Sequence, residues 1–428
     1  MINIIPFRGV RYNKQLVKDL NLVVTAPYDK IDDELQAEYY DRSPYNFVRL
    51  DKGREEDKYE NAKRCLQGWM KDNILIRDDK PCIYYYTQEY SFEGSRKIRK
   101  GFISLLELDE FENGNVLPHE HTLSGPKKDR FDLLVSTEAT FGQIFMLFSD
   151  PQNKVVKMFN EIEKNAPDIE VFDDDKNIHK VWTIDNTELI KKVQGEMKEK
   201  KIYIADGHHR YETSINYRNI QREKLGKYAG NELFNYTMCT FINMDDKEGM
   251  SILPTHRFIK NLSNFDLNNL LSVLKKEFNV KTISSLEELS KEMKIKEAEH
   301  AFGLITSKGD SLYLLTLKDK KDLDTHFPPN YSKDLKHLDV LILHKVILED
   351  ILGIDEEKLR QQTNVDYYRY KDEAFKLIKA GNYQLGFLLN ATKIDEVKRV
   401  TESGKKMPQK STDFYPKLIS GLVVNYLK

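Results

Sequence analysis

Asp206-Gly207-His208-His209-Arg210 place a carboxylate, a glycine, two imidazoles and a guanidinium in five consecutive positions. Ile202-Tyr203-Ile204-Ala205, just before them, suits a buried strand, and Tyr211 and Ile215 follow at the four-residue step of a helix. A helix start leaves backbone N–H groups without intrahelical partners and carries the positive end of the dipole, which together attract anions. Gly207 permits a sharp turn and a close approach by a ligand. His208, His209 and Arg210 add donors, and arginine can grip two phosphate oxygens at once. Asp206 is placed to accept a proton or to hold a metal ion. The pattern predicts a phosphate-binding helix start with Asp206 as a catalytic carboxylate.

A second constellation is His119-Glu120-His121, followed by Gly125-Pro126-Lys127-Lys128-Asp129-Arg130; with His208 and His209 it accounts for four of the ten histidines. In extended backbone His119 and His121 point the same way, as two ligands of one phosphate or one metal would. Pro126 suits the first turn of a helix, where Lys127 and Arg130 would be repelled by the dipole unless an anion offsets them. Glu120 is the second candidate catalytic base. The spacing excludes a HExxH protease helix. Arg8, within Phe7-Arg8-Gly9, and the Tyr28-Asp29 pair could add an arginine and a carboxylate to the same pocket. Gly404 to Ser411 has glutamine where a P-loop needs its second glycine, and no strand precedes it, so it is not one. Lys410-Ser411-Thr412 could still face a ligand, whereas Tyr84-Tyr85-Tyr86 and Tyr367-Tyr368 read as packing.

The elements that must position these residues are short and mixed. A helix is expected from Asp57 to Met70, with Tyr59, Ala62, Leu66 and Trp69 on one face. Leu22 to Val24, Cys82 to Tyr90, Ile98 to Leu108, Phe141 to Phe148 and Val181 to Ile184 read as strands, the second and third joined by a glycine-bearing hairpin. Later strands are expected at Phe234 to Ile242, Phe302 to Thr306, Ser311 to Leu317, Tyr383 to Leu389 and Leu422 to Leu427. A buried helix is expected from Asp334 to Ile351. Strands and helices do not strictly alternate, so the fold class is α+β, or mixed α/β. A boundary near Gly230 gives domains 1–230 and 231–428.

Composition narrows the function. Sixty-seven basic against 69 acidic side chains, a net charge of -2, argue against a protein that coats nucleic acid. No apolar run approaches the ~20 residues a bilayer requires, and no signal-peptide pattern opens the chain. Cys65, Cys82 and Cys239 are scattered, which excludes a disulfide framework and a thiolate zinc site. A cytoplasmic protein with a small-molecule ligand is expected.

The blocks PFRGVRY, APYDKI, SPYNFVRL, PHEHT with GPKKDR, YIADGHHRYET, ILPTHRF, LDVLILH and MPQKSTDFYPKL run in order through nearly the whole chain. Together they resemble the domain of unknown function 1015 family. Ala26 before Pro27 and Gln409 after Pro408 depart from its usual pattern. YIADGHHRYET is also similar to the phosphate-binding motif of the ParB/sulfiredoxin superfamily, which includes CTP-binding partition proteins, sulfiredoxins and free serine kinases. That resemblance implies an N-terminal ParB/sulfiredoxin-like nucleotide-binding core with insertions, followed by a C-terminal α+β domain. It further implies that Gly207, His208, His209 and Arg210 meet the phosphates of a nucleotide, ATP or ADP with Mg²⁺. Sulfiredoxin chemistry is excluded because His208 stands where the cysteine belongs, and no basic recognition helix of a partition protein is present.

Three functions fit these observations. One is phosphoryl transfer or phosphate hydrolysis on a small polar metabolite, possible acceptors including a free amino acid such as serine, with Lys127, Arg130, His119 and His121 neutralising charge. Another is a nucleotide-sensing regulator without turnover. The last is a hydrolase whose zinc or manganese is held by His119, His121, His208, His209 and Asp206.

Overall fold

In the computed structural model, which describes residues 1–120, 124–308, 311–318 and 323–428, the chain forms two compact units, both mixed α and β. Unit 1 holds Met1–Pro118, the described residues from there to Ser251, and Phe414–Lys428. Unit 2 holds His119, Glu120 and Ile252–Asp413. The units therefore divide at Ser251 rather than near Gly230, and neither is one continuous run of chain.

Unit 1 is built on a nine-stranded sheet. Its strands are β1 (Ile4–Ile5), β2 (Ile83–Phe92), β3 (Ser95–Glu107), β4 (Val116–Pro118), β5 (Ile144–Phe148), β6 (Ile169–Phe172), β7 (Ile178–Ile184), β8 (Ile202–Asp206) and β9 (Tyr236–Asn243). They lie in the order β4-β8-β5-β9-β3-β2-β7-β6, with β1 on β3. β4 runs parallel to β8 and β9 parallel to β5; the other pairs are antiparallel. The expected hairpin joins β2 to β3, with Glu93 and Gly94 both at positive φ, the geometry a two-residue turn needs to match strand twist. Phe102, Phe148, Phe241 and Tyr85 pack in the core with Val193 and Met197 of the helix Thr187–Met197. The helix Lys58–Lys71 buries Ala62, Leu66 and Trp69, the face its spacing predicts.

Unit 2 carries a six-stranded, wholly antiparallel sheet. It comprises β10 (His256–Ile259), β11 (Phe278–Ile283), β12 (Ala301–Thr306), β13 (Leu312–Leu317), β14 (Val365–Tyr368) and β15 (Leu385–Leu388), in the order β11-β13-β12-β15-β10-β14. Alternation along the strands gives it two apolar faces. Phe302, Leu315 and Phe387 pack with Leu343, Val346 and Ile347, while Phe258, Ile305 and Leu314 pack with Leu289, Ala374 and Ile378.

Three expected elements differ. Leu22 to Val24 is not a strand: Asp19 accepts from the Asn21 amide and winds Leu20–Leu22 into a single tight turn. The helix expected from Asp334 to Ile351 is interrupted where Leu338 adopts extended backbone, and it resumes as Asp339–Ile342. It then widens over Leu343–Ile351, where the Leu352 amide bonds back five residues to the Ile347 carbonyl at 3.0 Å. Of Leu422 to Leu427 only Asn425–Tyr426 pairs as a strand.

Candidate functional site

The strand-turn-helix expected at Asp206 forms, and its geometry follows from three local devices. β8 carries a bulge: Ile204 faces Met146 while Asp206 faces Phe145, so Ala205 is an extra residue that re-aims the strand end. Gly207 then takes φ +96°, a conformation that side chains with a Cβ disfavour. The helix His208–Leu225 begins directly after it, with no capping side chain at Gly207. Tyr211 anchors this helix: its buried ring contributes about 2 kcal/mol, and its hydroxyl donates to the Asp109 carbonyl at 2.9 Å.

Arg210 folds back over the turn. A Cβ at Gly207 would stand 3.0 Å from Arg210 Nε, and one at Gly142 would stand 2.9 Å from Nη1, so the guanidinium occupies space that two glycines leave open. Nη1 donates to the Gln143 carbonyl, and Nη2 lies 4.0 Å from Asp206 Oδ1. On the other carboxylate oxygen, Lys417 Nζ donates to Asp206 Oδ2 at 3.2 Å. Burial alone would raise the Asp206 pKa, but Lys417 and Arg210, with Lys30 as a further cation, hold it far below the usual carboxylate range. Asp206 is thus a permanent anion set between cations.

Arg130 is the second arginine of the site, and it is buried. It donates to Asp51 Oδ1 at 2.7 Å and to Asp129 Oδ2 at 2.9 Å, and its guanidinium lies 4.0 Å from the centre of the Tyr28 ring. Burial pushes the Tyr28 phenol up to about 12, against the opposing pull of Arg210 and Arg130. A cavity of about 50 Å³ lies among Tyr28, Arg130, Arg210, Thr140 and Thr213, with room for water but not for a substrate. The buried hydroxyls of Thr140 and Thr213 on its wall have no hydrogen-bond partner among the described residues. Lys127 pairs with Glu212 on the helix His208–Leu225.

Of the residues singled out in the sequence, Asp206, Gly207, His208, His209, Arg210, Lys127 and Arg130 all belong to unit 1. His208 is buried and His209 half-buried in the first helical turn. Arg8 is exposed, and its Nε donates to the Asp78 carbonyl at 2.8 Å, which ties it to a different loop. His119 and Glu120 belong to unit 2, where His119 is fully buried with Nε2 2.9 Å from Thr412 Oγ1, and Glu120 bridges to Met407. His121 lies outside the described residues. Among the described residues no group of three or more His, Cys, Asp or Glu side chains is arranged to hold a metal ion.

These residues fit nucleotide phosphates better than they fit Mg²⁺. Lys417, Arg210 and the helix start supply donors for phosphate oxygens. Asp206, already paired with Lys417, is a poor seat for a strongly hydrated dication. Sequence reasoning missed Lys417, Lys30 and Gly142. Lys417 lies inside the block MPQKSTDFYPKL, whose spacing does not connect it to Asp206.

The family model described as a protein of unknown function (DUF1015) matches residues 4–341. No curated protein matches the chain in sequence. Among solved structures, a free serine kinase in complex with AMP aligns at a TM-score of 0.35 and 15% identity, over 73% of this chain and 86% of that one. A conserved hypothetical protein from Pyrococcus furiosus aligns at 0.34 and 15%, over 74% and 92%. SbnI with a C-terminal truncation, from Staphylococcus aureus, aligns at 0.34 and 10%, over 74% and 84%. Likeness this loose says nothing of activity. The match to the family model spans most of the chain and takes in the Asp206–Arg210 turn, and the chain belongs to the DUF1015 family.

Proposed function

We propose that unit 1 binds a nucleotide through its phosphates and transfers a phosphoryl group to a small polar metabolite. The observation that carries this reading is the cation cluster around the glycine turn: Lys417 and Arg210 flank Asp206 at the start of an 18-residue helix. Such a cluster is preorganised for charge that builds on phosphate oxygens. In the transfer, the bond from the terminal phosphorus to its bridging oxygen breaks and a bond to the acceptor's oxygen forms; the nucleotide leaves one phosphate shorter. Lys417 and Arg210 steady the phosphates, and Arg130 orients Tyr28 beside them. The acceptor's proton must go to a base. Asp206 is held so far down that it is a weak one, and its role becomes that of a counter-ion which positions Lys417. The proton passes to solvent water. A free amino acid such as serine is the acceptor suggested by the resemblance of YIADGHHRYET to the motif of the ParB/sulfiredoxin superfamily, which includes free serine kinases.

A regulator that binds the same nucleotide without turnover is the second reading, and the weak basicity of Asp206 favours it. Incubation with ATP or ADP and a panel of amino acids, followed by measurement of the shortened nucleotide, separates the two. Acceptor-dependent product that Arg210→Ala abolishes supports transfer. Nucleotide binding with no product over hours favours the sensor, and no binding at all sinks both.

A further inference from the structure

The small cavity of unit 1 beside Arg210 has a wall rich in hydrogen-bond donors. Thr213, on that wall, lies in the second turn of the helix His208–Leu225 and is 5% exposed. A helical threonine or serine usually turns its hydroxyl onto a carbonyl of the preceding turn. Ser214 does so, donating to the Arg210 carbonyl at 3.0 Å, but the Thr213 hydroxyl has no partner among the described residues. Thr140, also on the wall, stands directly across from Asn425 in an antiparallel pair, so their side chains share one face of the ribbon. The Thr140 hydroxyl and the Asn425 side-chain amide nitrogen are likewise buried and unpartnered among the described residues. The amide nitrogen can only donate.

Charge on the wall points the same way, with the guanidiniums of Arg130 and Arg210 against the carboxylate of Asp51. Both Asp51 oxygens are taken: Oδ1 accepts from Arg130 at 2.7 Å and Oδ2 from Ser420 Oγ at 3.1 Å. Asp129 also accepts from Arg130, so that guanidinium is matched. Arg210 is not matched. Its Nη1, beside Gly142 on the wall, donates to the neutral Gln143 carbonyl. Asp206 stands 4.0 Å from its Nη2, beyond a hydrogen bond, and holds Lys417 on its other oxygen. Burial keeps the Tyr28 phenol protonated, a further donor on the wall. Donors of this kind around a space of about 50 Å³ suit an acceptor that carries no hydrogen and is little larger than water.

We propose that this cavity is a halide site, which takes chloride between Arg210, Thr213 and Thr140. It adjoins the glycine turn and shares Arg210 with it, but it does not rest on the phosphoryl-transfer reading. Bound chloride braces the Nη1 edge of the guanidinium and leaves Nε and Nη2 over Gly207. Chloride NMR line broadening on the nucleotide-free full chain tests it, with sodium gluconate replaced stepwise by sodium chloride at constant ionic strength. Saturable excess broadening that bromide displaces is expected. Binding should be about tenfold weaker in Thr213→Val, which keeps the side chain's shape and removes one donor to an anion. In gluconate alone Thr213→Val should be as stable as the wild type, because its hydroxyl has no partner to lose. Chloride should then raise the melting temperature of the wild type more than that of the variant. Thr140→Val serves as the readout if Thr213→Val unfolds early. The proposal is overturned if the wild type shows no saturable broadening, if both valine variants bind chloride like the wild type, or if chloride stabilises all three proteins equally. Because no nucleotide is present, failure here is distinct from failure of the phosphate cradle, which ATP titration reads.

Discussion

Lys417 Nζ meets Asp206 Oδ2 at 3.2 Å although 211 residues of sequence separate them. The last stretch of the chain thereby completes a site whose motif lies near the middle. With Arg210 on the opposite oxygen, Asp206 has cations on both sides, and that arrangement sets its charge state. Lys417→Gln is expected to weaken ATP and ADP binding about tenfold, the scale of one charge-assisted contact of ~1.5 kcal/mol. Titration calorimetry at fixed ionic strength reads this, because the contact is screened by salt. An affinity equal to the wild type's would remove Lys417 from the site.

The two glycines under Arg210 make a separate prediction. Gly207→Ala forces a Cβ into left-handed backbone and to within 3.0 Å of the guanidinium; Gly142→Ala brings one to 2.9 Å of Nη1. Each should destabilise the fold by about 1–2 kcal/mol in urea denaturation and also displace Arg210. A loss of nucleotide affinity larger than the loss of stability is the signature of that displacement. Variants as stable and as tightly bound as the wild type would contradict the packing described.

How much of this was legible beforehand follows from chain distance. The strand, the turn and the helix around Gly207 could be read because bulge, left-handed glycine and helix start are all local. Gly142, Lys30 and Lys417 come from other segments, and no spacing rule connects them to Asp206. The division into units was hidden for the same reason: residues 119–120 join unit 2 and residues 414–428 return to unit 1, which no composition shift marks. The break at Leu338 was missed because its apolar neighbours continue the helical spacing across it.

Acid should weaken unit 1 through Asp129. Burial opposes its ionisation, but Arg130 and Lys58 win and lower its pKa to about 2 from an ordinary 3.8. A folded-state pKa below the unfolded value stabilises the protein at all pH above the unfolded value, and that contribution is lost as pH falls toward the folded one. The wild type should therefore lose about 1–2 kcal/mol between pH 4 and 2 from this group, discounted for its partial exposure. Asp129→Asn should be less stable at pH 7 and lose correspondingly less over that interval. Parallel urea curves for the two proteins across the same interval would exclude Asp129 as a contributor.

Arg99 predicts an indirect effect on the site. It is 1% exposed, pairs with no carboxylate among the described residues, and donates to Gln88 Oε1 at 2.9 Å and to the carbonyls of Tyr415 and Pro416, immediately before Lys417. Arg99→Met would leave those acceptors unsatisfied and should cost about 3 kcal/mol in denaturation. Because the clamp sets where Lys417 emerges, nucleotide affinity should fall even at temperatures where the variant is fully folded. Affinity unchanged in the folded variant would mean that Lys417 is positioned by other contacts.

The most direct measurement is titration calorimetry of ATP and ADP against the wild type and Arg210→Ala, with both proteins shown by far-ultraviolet circular dichroism to be folded. Saturable binding by the wild type and a loss of at least tenfold in Arg210→Ala is the expected result. No binding by the wild type, or equal affinity in the folded variant, would contradict a phosphate cradle at Gly207.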